Sequence, residues 1–193
     1  MMVDLLSKPK IAELTELASR LSLKGLSSEV IVTTANGLLN SGVYDDTLLA
    51  IIDSSPAILS NVEPHFRRFL ENASIPLPET ETAIWQLLFF HISRIAETGG
   101  DPLLPLDDMI NDVYYAYSFH NKPGKYLGES HGIHHLIGDY WLNDDLLDRE
   151  DEIVYDGKTG HQIINEIRDS TKRYAKEWLD CYGSLFTGAA GRP

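Results

Sequence analysis

Apolar side chains return at three- and four-residue steps along almost the whole of this sequence, and that spacing constrains its fold more than any other feature. Ile11, Leu14, Leu17, Ala18 and Leu21 fall on one face of a first helix. Gly25 ends it, and Ser27 or Ser28 supplies the side-chain oxygen that caps a second. The second carries Val30, Ile31, Thr34, Leu38 and Leu39, and Gly42 closes it. A short third helix follows Asp45 or Asp46, with Leu48, Leu49, Ile51 and Ile52, and Ser54-Ser55-Pro56 breaks it.

Ser60-Asn61-Val62-Glu63 reads as a capping box, with Pro64 in the first turn and Phe66, Phe69 and Leu70 inward. Ile75-Pro76-Leu77-Pro78 is an extended connection, because proline disfavours helical geometry in the residue before it. Residues 79–97 predict a long central helix with Ala83, Ile84, Leu87, Leu88, His91, Ile92 and Ile95 inward. Trp85, Phe89 and Phe90 make it apolar on more than one side. Pro105 or Asp107 opens another helix through Met109, Ile110, Val113, Tyr114 and Tyr117. Residues 119–128 read as a loop. Thr159 caps a last helix from about Gly160 to Cys181, and residues 183–193 are expected to fray. No alternating strand stands out. The expectation is an all-α, single-domain bundle of about eight helices over 1–182, followed by a flexible tail over 183–193.

The formal net charge is −13, unevenly spread. Residues 101–156 hold 13 acids against 3 bases, whereas 157–193 hold 4 acids against 6 bases. The middle segment repels phosphate, because nucleic-acid affinity comes from basic side chains that displace counterions. No nucleic-acid or membrane partner is expected, and a basic protein surface is the natural complement. Asp144, Asp145, Asp148, Glu150, Asp151 and Glu152 are the residues expected to meet it. The single cysteine, Cys181, excludes an internal disulfide. The first eight residues lack the basic and apolar segments of a secretion signal, which predicts a cytoplasmic protein.

Two stretches come close to catalytic motifs. Gly128-Glu129-Ser130-His131-Gly132 fits G-x-S-x-G, but a hydrolase elbow follows a buried strand and Asn121–Leu127 is not one. Ser130 is expected to cap a helix instead. Gly157-Lys158-Thr159 would end a phosphate loop if position 152 were glycine; Glu152 puts negative charge there. Serine hydrolase and phosphate-loop activities are both rejected.

Five of the seven histidines lie between 120 and 161. If 130–142 is helical, His131, His135 and Asp139 share one face at i, i+4 and i+8. Two imidazoles and a carboxylate are a common set for a divalent transition metal. The first and third lie about 12 Å apart along such a helix, so a site needs a further ligand from elsewhere. His91, on the apolar face of its helix, is expected to be a hydrogen-bonded core residue. Tyr114, Tyr115, Tyr117, Phe119, Tyr126, Tyr140 and Trp141 bracket the histidines. They are expected to pack as core, or to line a small-molecule pocket.

Gly37-Leu38-Leu39-Asn40-Ser41-Gly42 with Thr47–Ile52, Ile75-Pro76-Leu77-Pro78-Glu79, and His91–Pro102 resemble stretches of a loosely defined set of small bacterial helical proteins. The resemblance implies a bacterial, helical, cytoplasmic protein and carries over no activity and no site residue. The expected function is a protein-interaction or regulatory role for the acidic segment. A metal-binding protein or metal-dependent enzyme built on His131 and His135 is the alternative, and ligand binding by the aromatic group comes after it.

Overall fold

The computed structural model describes residues 6–149 and 151–187. The fold is all-α save for one small hairpin. The chain divides into two compact units, Met1–Ile84 and Trp85–Pro193, with the boundary inside the long helix.

The first unit contains α1 (Lys8–Ser22), α2 (Ser28–Asn40), α3 (Asp46–Ile52), α4 (Leu59–Asn72) and the start of α5 (Thr80–Glu97). Ser27 caps α2 by accepting from the Val30 amide, and Asp45 caps α3 by accepting from the Thr47 amide. α3 packs on α2 and α4. Leu14, Ile31, Leu38, Leu48, Ile51, Phe66 and Phe69 are fully buried in the unit's core. Each contributes about 1.5–3 kcal/mol by leaving water.

The capping box at Ser60 does not form. α4 starts two residues earlier, at Leu59, with Ile58 in the cap position and no side-chain cap. The Asn61 amide group donates to the Pro56 carbonyl, and Glu63 pairs with Arg67 at 2.7 Å rather than turning back to Ser60. The glutamate therefore serves an i,i+4 ion pair along the helix surface.

The second unit holds the rest of α5, then α6 (Leu103–Met109), α7 (His134–Asp144), β1 (Ile153–Tyr155), β2 (Lys158–Thr159), α8 (Gly160–Tyr182) and α9 (Ser184–Thr187). α6 begins at Leu103, ahead of the expected start, and runs into a π-helical turn over Ile110–Tyr114. α7 packs on α6 and α8. The seven inward positions expected in α5 are all buried. Thr159 caps α8 within a full capping box made with Gln162. Ser184–Thr187 is helical where a frayed tail was expected; residues 188–193 lie outside the described residues.

The hairpin is the element the helical reading passed over. β1 and β2 pair antiparallel, Ile153 with Thr159 and Tyr155 with Lys158. Asp156 and Gly157 form the two-residue turn with φ of 47° and 77°. Two positive φ values suit the right-handed twist of the flanking strands, and Asp-Gly tolerates them. Among the described residues, no helix is long and apolar enough to cross a membrane.

Candidate functional site

The histidines expected on one helical face are separated. Glu129–His131 forms a 3-10 turn that ends at Gly132 in the left-handed region (φ 70°), and α7 begins only at His134. His131 is therefore not on α7, and the i, i+4, i+8 alignment with His135 and Asp139 does not exist.

His131 is buried among aromatic rings. Its centroid lies 4.8 Å from Trp85, 5.3 Å from Phe119 and 5.6 Å from Tyr117. Its Nδ1 is 2.9 Å from Ser130 Oγ, so Ser130 does not cap α7. Its backbone carbonyl accepts from Trp178 Nε1 at 2.8 Å. Trp85, Trp178 and Tyr182 complete the cluster, with centroids 5.2–6.1 Å apart. Phe119 thus serves as core with Tyr117 half-buried beside it, whereas Tyr115, Tyr126 and Trp141 are exposed rather than core.

His135 is exposed and stacks flat on Tyr174 at 4.4 Å, with the Arg173 guanidinium 4.5 Å over the same ring. His134 lies 4.1 Å from His135 and 5.9 Å from Tyr126. Burial, and then the neighbouring His135, holds the His134 imidazole below its usual value. Asp139 accepts from the hydroxyls of Ser170 (2.8 Å) and Thr171 (3.0 Å). Its partial burial outweighs those bonds and raises its carboxyl above the ordinary range. Among the described residues, no group of three or more His, Cys, Asp or Glu could hold a metal ion. The proposed ligands are each committed to different neighbours.

The rejected motifs find structural employment. Gly128 (φ 81°) and Gly132 bracket the 3-10 turn, and turns rather than a strand precede it. Lys158 pairs with Glu166 at 2.6 Å, and Gly157 shapes the hairpin. His91 is fully buried with Nε2 2.9 Å from Asp112 Oδ2, a core hydrogen bond of the expected kind.

The acidic segment forms an exposed ridge. Asp144 ends α7 and Asp145 is its C-cap residue, with no base in the last turn. A helix C-terminus already carries partial negative charge, so an acid there costs about 0.3–1 kcal/mol. Asp145, Asp148, Asp151 and Glu152 are exposed as well; Glu150 lies outside the described residues. Glu152 pairs with Arg149 at 2.8 Å. Leu146, beneath, is buried against Ile163, Ile164 and Ile167 of α8 and pins the segment down.

Three apolar side chains stand among these acids: Leu147 is 53% exposed, Ile153 73% and Tyr155 58%. None was singled out from the sequence. The Asp156-Gly157 pair was the available signal, because a tight hairpin with an outward strand face displays whatever that face carries.

No protein-family model, no curated protein and no solved structure matches this chain. The functional reading rests on its own residues.

Proposed function

We propose that this protein is a helical interaction module that presents the ridge from Asp144 to Tyr155 to a basic partner. The observation carrying this reading is the pairing of exposed acids, two of them at a helix C-terminus, with exposed hydrocarbon. Asp144 and Asp145 sit where the helix end disfavours them, and Leu147, Ile153 and Tyr155 lie in the same exposed segment. Stability alone selects for neither. Carboxylates at a surface speed association with a positive partner and exclude negative ones. Leucine, isoleucine and tyrosine supply the apolar area that holds the complex once formed. The same charge turns phosphate backbones away. Cys181, exposed and unpaired, suits a reducing setting such as the cytoplasm.

A short amphipathic peptide, with arginine and lysine on one face and leucine on the other, is the probe. Fluorescence anisotropy is read for two variants of equal net charge. One changes Asp144, Asp145, Asp148, Glu150, Asp151 and Glu152 to their amides. The other changes the exposed Glu13, Asp53, Glu71, Glu79, Glu97 and Asp180. The first is expected to bind about tenfold or more weaker, and added salt to weaken the parent complex. Equal binding by both variants overturns the reading.

A further inference from the structure

Beside the ridge, α6, α7 and α8 enclose a cleft of about 290 Å³. That volume sits at the lower edge of what a small-molecule site uses and suits a single side chain. Leu103, Leu147 and Ile164 give it apolar walls, and Asp107, Asn143 and Asp144 bring oxygen atoms to it. Asp107 and Asp144 are both exposed, and neither has a cationic partner among the described residues. Asn143 lines the cleft, and its Oδ1 is buried with no hydrogen-bond partner in the structure. Such an atom costs about 1–3 kcal/mol unless a donor reaches it.

Among the described residues, the one cation lining the cleft is already engaged. Arg168 donates to Asp101 through Nε (3.2 Å) and Nη2 (2.9 Å) and to Asn165 through Nη1 (2.9 Å). The Tyr140 phenol, also at the cleft, is raised above its usual value by burial first and by Asp107 next, with Tyr115 and Asp144 adding. What remains is a narrow hydrocarbon slot with two carboxylates and an orphan acceptor, and no free donor of positive charge.

We infer that this cleft receives one arginine side chain of the basic partner. Its methylene stem would lie along Leu103, Leu147 and Ile164, and its guanidinium would donate to Asp107, Asp144 and Asn143 Oδ1. Arginine suits this site because its planar fork offers several donors in fixed directions and is weakly hydrated. The inference rests on the interaction reading above and names the partner group that reading leaves open.

The test is a double-mutant cycle with the same peptide, compared with a copy whose central arginine is citrulline, the neutral isostere. The cleft variant is Asp107→Asn with Asp144→Asn. The ridge variant is Asp148→Asn, Asp151→Asn and Glu152→Gln. The unaltered protein should prefer the arginine peptide by about tenfold, and the cleft variant should lose that preference. The ridge variant should bind both peptides more weakly while keeping it. The Asn143 side-chain amide resonances of the unaltered protein should move with the arginine peptide alone.

If the cleft variant still prefers arginine as the parent does, the inference falls. Weakening by the ridge variant would then leave the interaction reading standing, and its failure to weaken would remove both. Free argininamide that shifts Asn143 at the same concentration as the peptide would show a small-cation site, and would overturn the assignment to a partner side chain. Unchanged circular dichroism in each variant excludes unfolding as the cause.

Discussion

Trp178 donates its indole N–H to the His131 carbonyl at 2.8 Å, fully buried and spanning 47 residues of sequence. The bond ties the 3-10 turn Glu129–His131 to the C-terminal part of α8. It satisfies a carbonyl that helix geometry cannot, because the chain leaves the turn at Gly132. Trp178→Phe keeps an aromatic ring and removes the donor. It is expected to cost about 2–3 kcal/mol, combining the orphaned carbonyl with the lost ring volume. Urea denaturation checks this. A change below about 0.5 kcal/mol would show that the bond contributes nothing net.

Gly132 reaches φ 70° with its α-carbon facing the Tyr182 ring. A Cβ built there lies 2.7 Å from Tyr182 Cε2, so alanine meets both a disfavoured backbone region and a ring fixed between Trp85 and Trp178. Gly132→Ala is expected to destabilise by about 1–3 kcal/mol and to alter the near-ultraviolet dichroism of the aromatic cluster. Gly138→Ala is the control, since nothing lies within 4 Å of its added Cβ. Within α7 that change should be neutral or stabilising.

Two carboxyls near the histidine pair shift in opposite directions. Glu129 is held below its ordinary value of 4.5 by the backbone amides of Tyr126 and Lys125, which donate to its carboxylate. Its contribution to stability is present above 4.5 and is lost as pH falls through the lower native value. Asp139 is raised above 3.8, chiefly by burial. The native state therefore binds that proton more tightly than the unfolded chain, and stability falls as pH rises from 3.8 through the raised native value. Carboxyl carbon shifts followed by NMR should place the Glu129 midpoint below 4.5 and the Asp139 midpoint above 3.8. Asp139→Asn should flatten the stability profile over Asp139's own window. Midpoints in the reverse sense would refute both assignments.

Gly157 supplies the second positive φ of the hairpin, at 77°, with open space around its α-carbon. Gly157→Ala therefore tests backbone conformation alone. It is expected to cost about 1–2 kcal/mol of hairpin stability, seen as loss of the cross-strand Ile153–Thr159 contact by NMR. α8 should persist, because its capping box at Thr159 and Gln162 lies beyond the turn. Because the hairpin displays Ile153 and Tyr155, the same change should weaken peptide binding without altering any charge.

Much of the helical framework was legible because its signals are local. α5 repeats apolar residues at the helical pitch, and the same seven positions are buried. α8 announces itself through Thr159 and a regular apolar face, and Gln162 completes its capping box in the structure. Competing local signals were less decisive. Ser60 and Glu63 had the spacing of a capping box, yet Asn61 found Pro56 and Glu63 found Arg67. Asp156-Gly157 was readable as a turn and was passed over, because strands as short as β1 and β2 leave almost no alternation to see.

The candidate site was legible only in its charge. Asp144, Asp145, Asp148, Asp151 and Glu152 are exposed because ionised carboxylates stay in water unless paired. That Leu147 stands out while Leu146 is buried depends on how the segment lies over Ile163, Ile164 and Ile167. The cleft at Asn143 depends on three helices at once.

Helix positions, inward faces and the sign of the middle segment follow from the sequence by itself, since residue spacing and ionisation are properties of neighbours along the chain. Where His131 turns off, which carbonyl Trp178 satisfies and which acceptor is left at the cleft were decided by the tertiary structure. Those are matters of polar groups finding partners dozens of residues away, and no local period encodes that pairing.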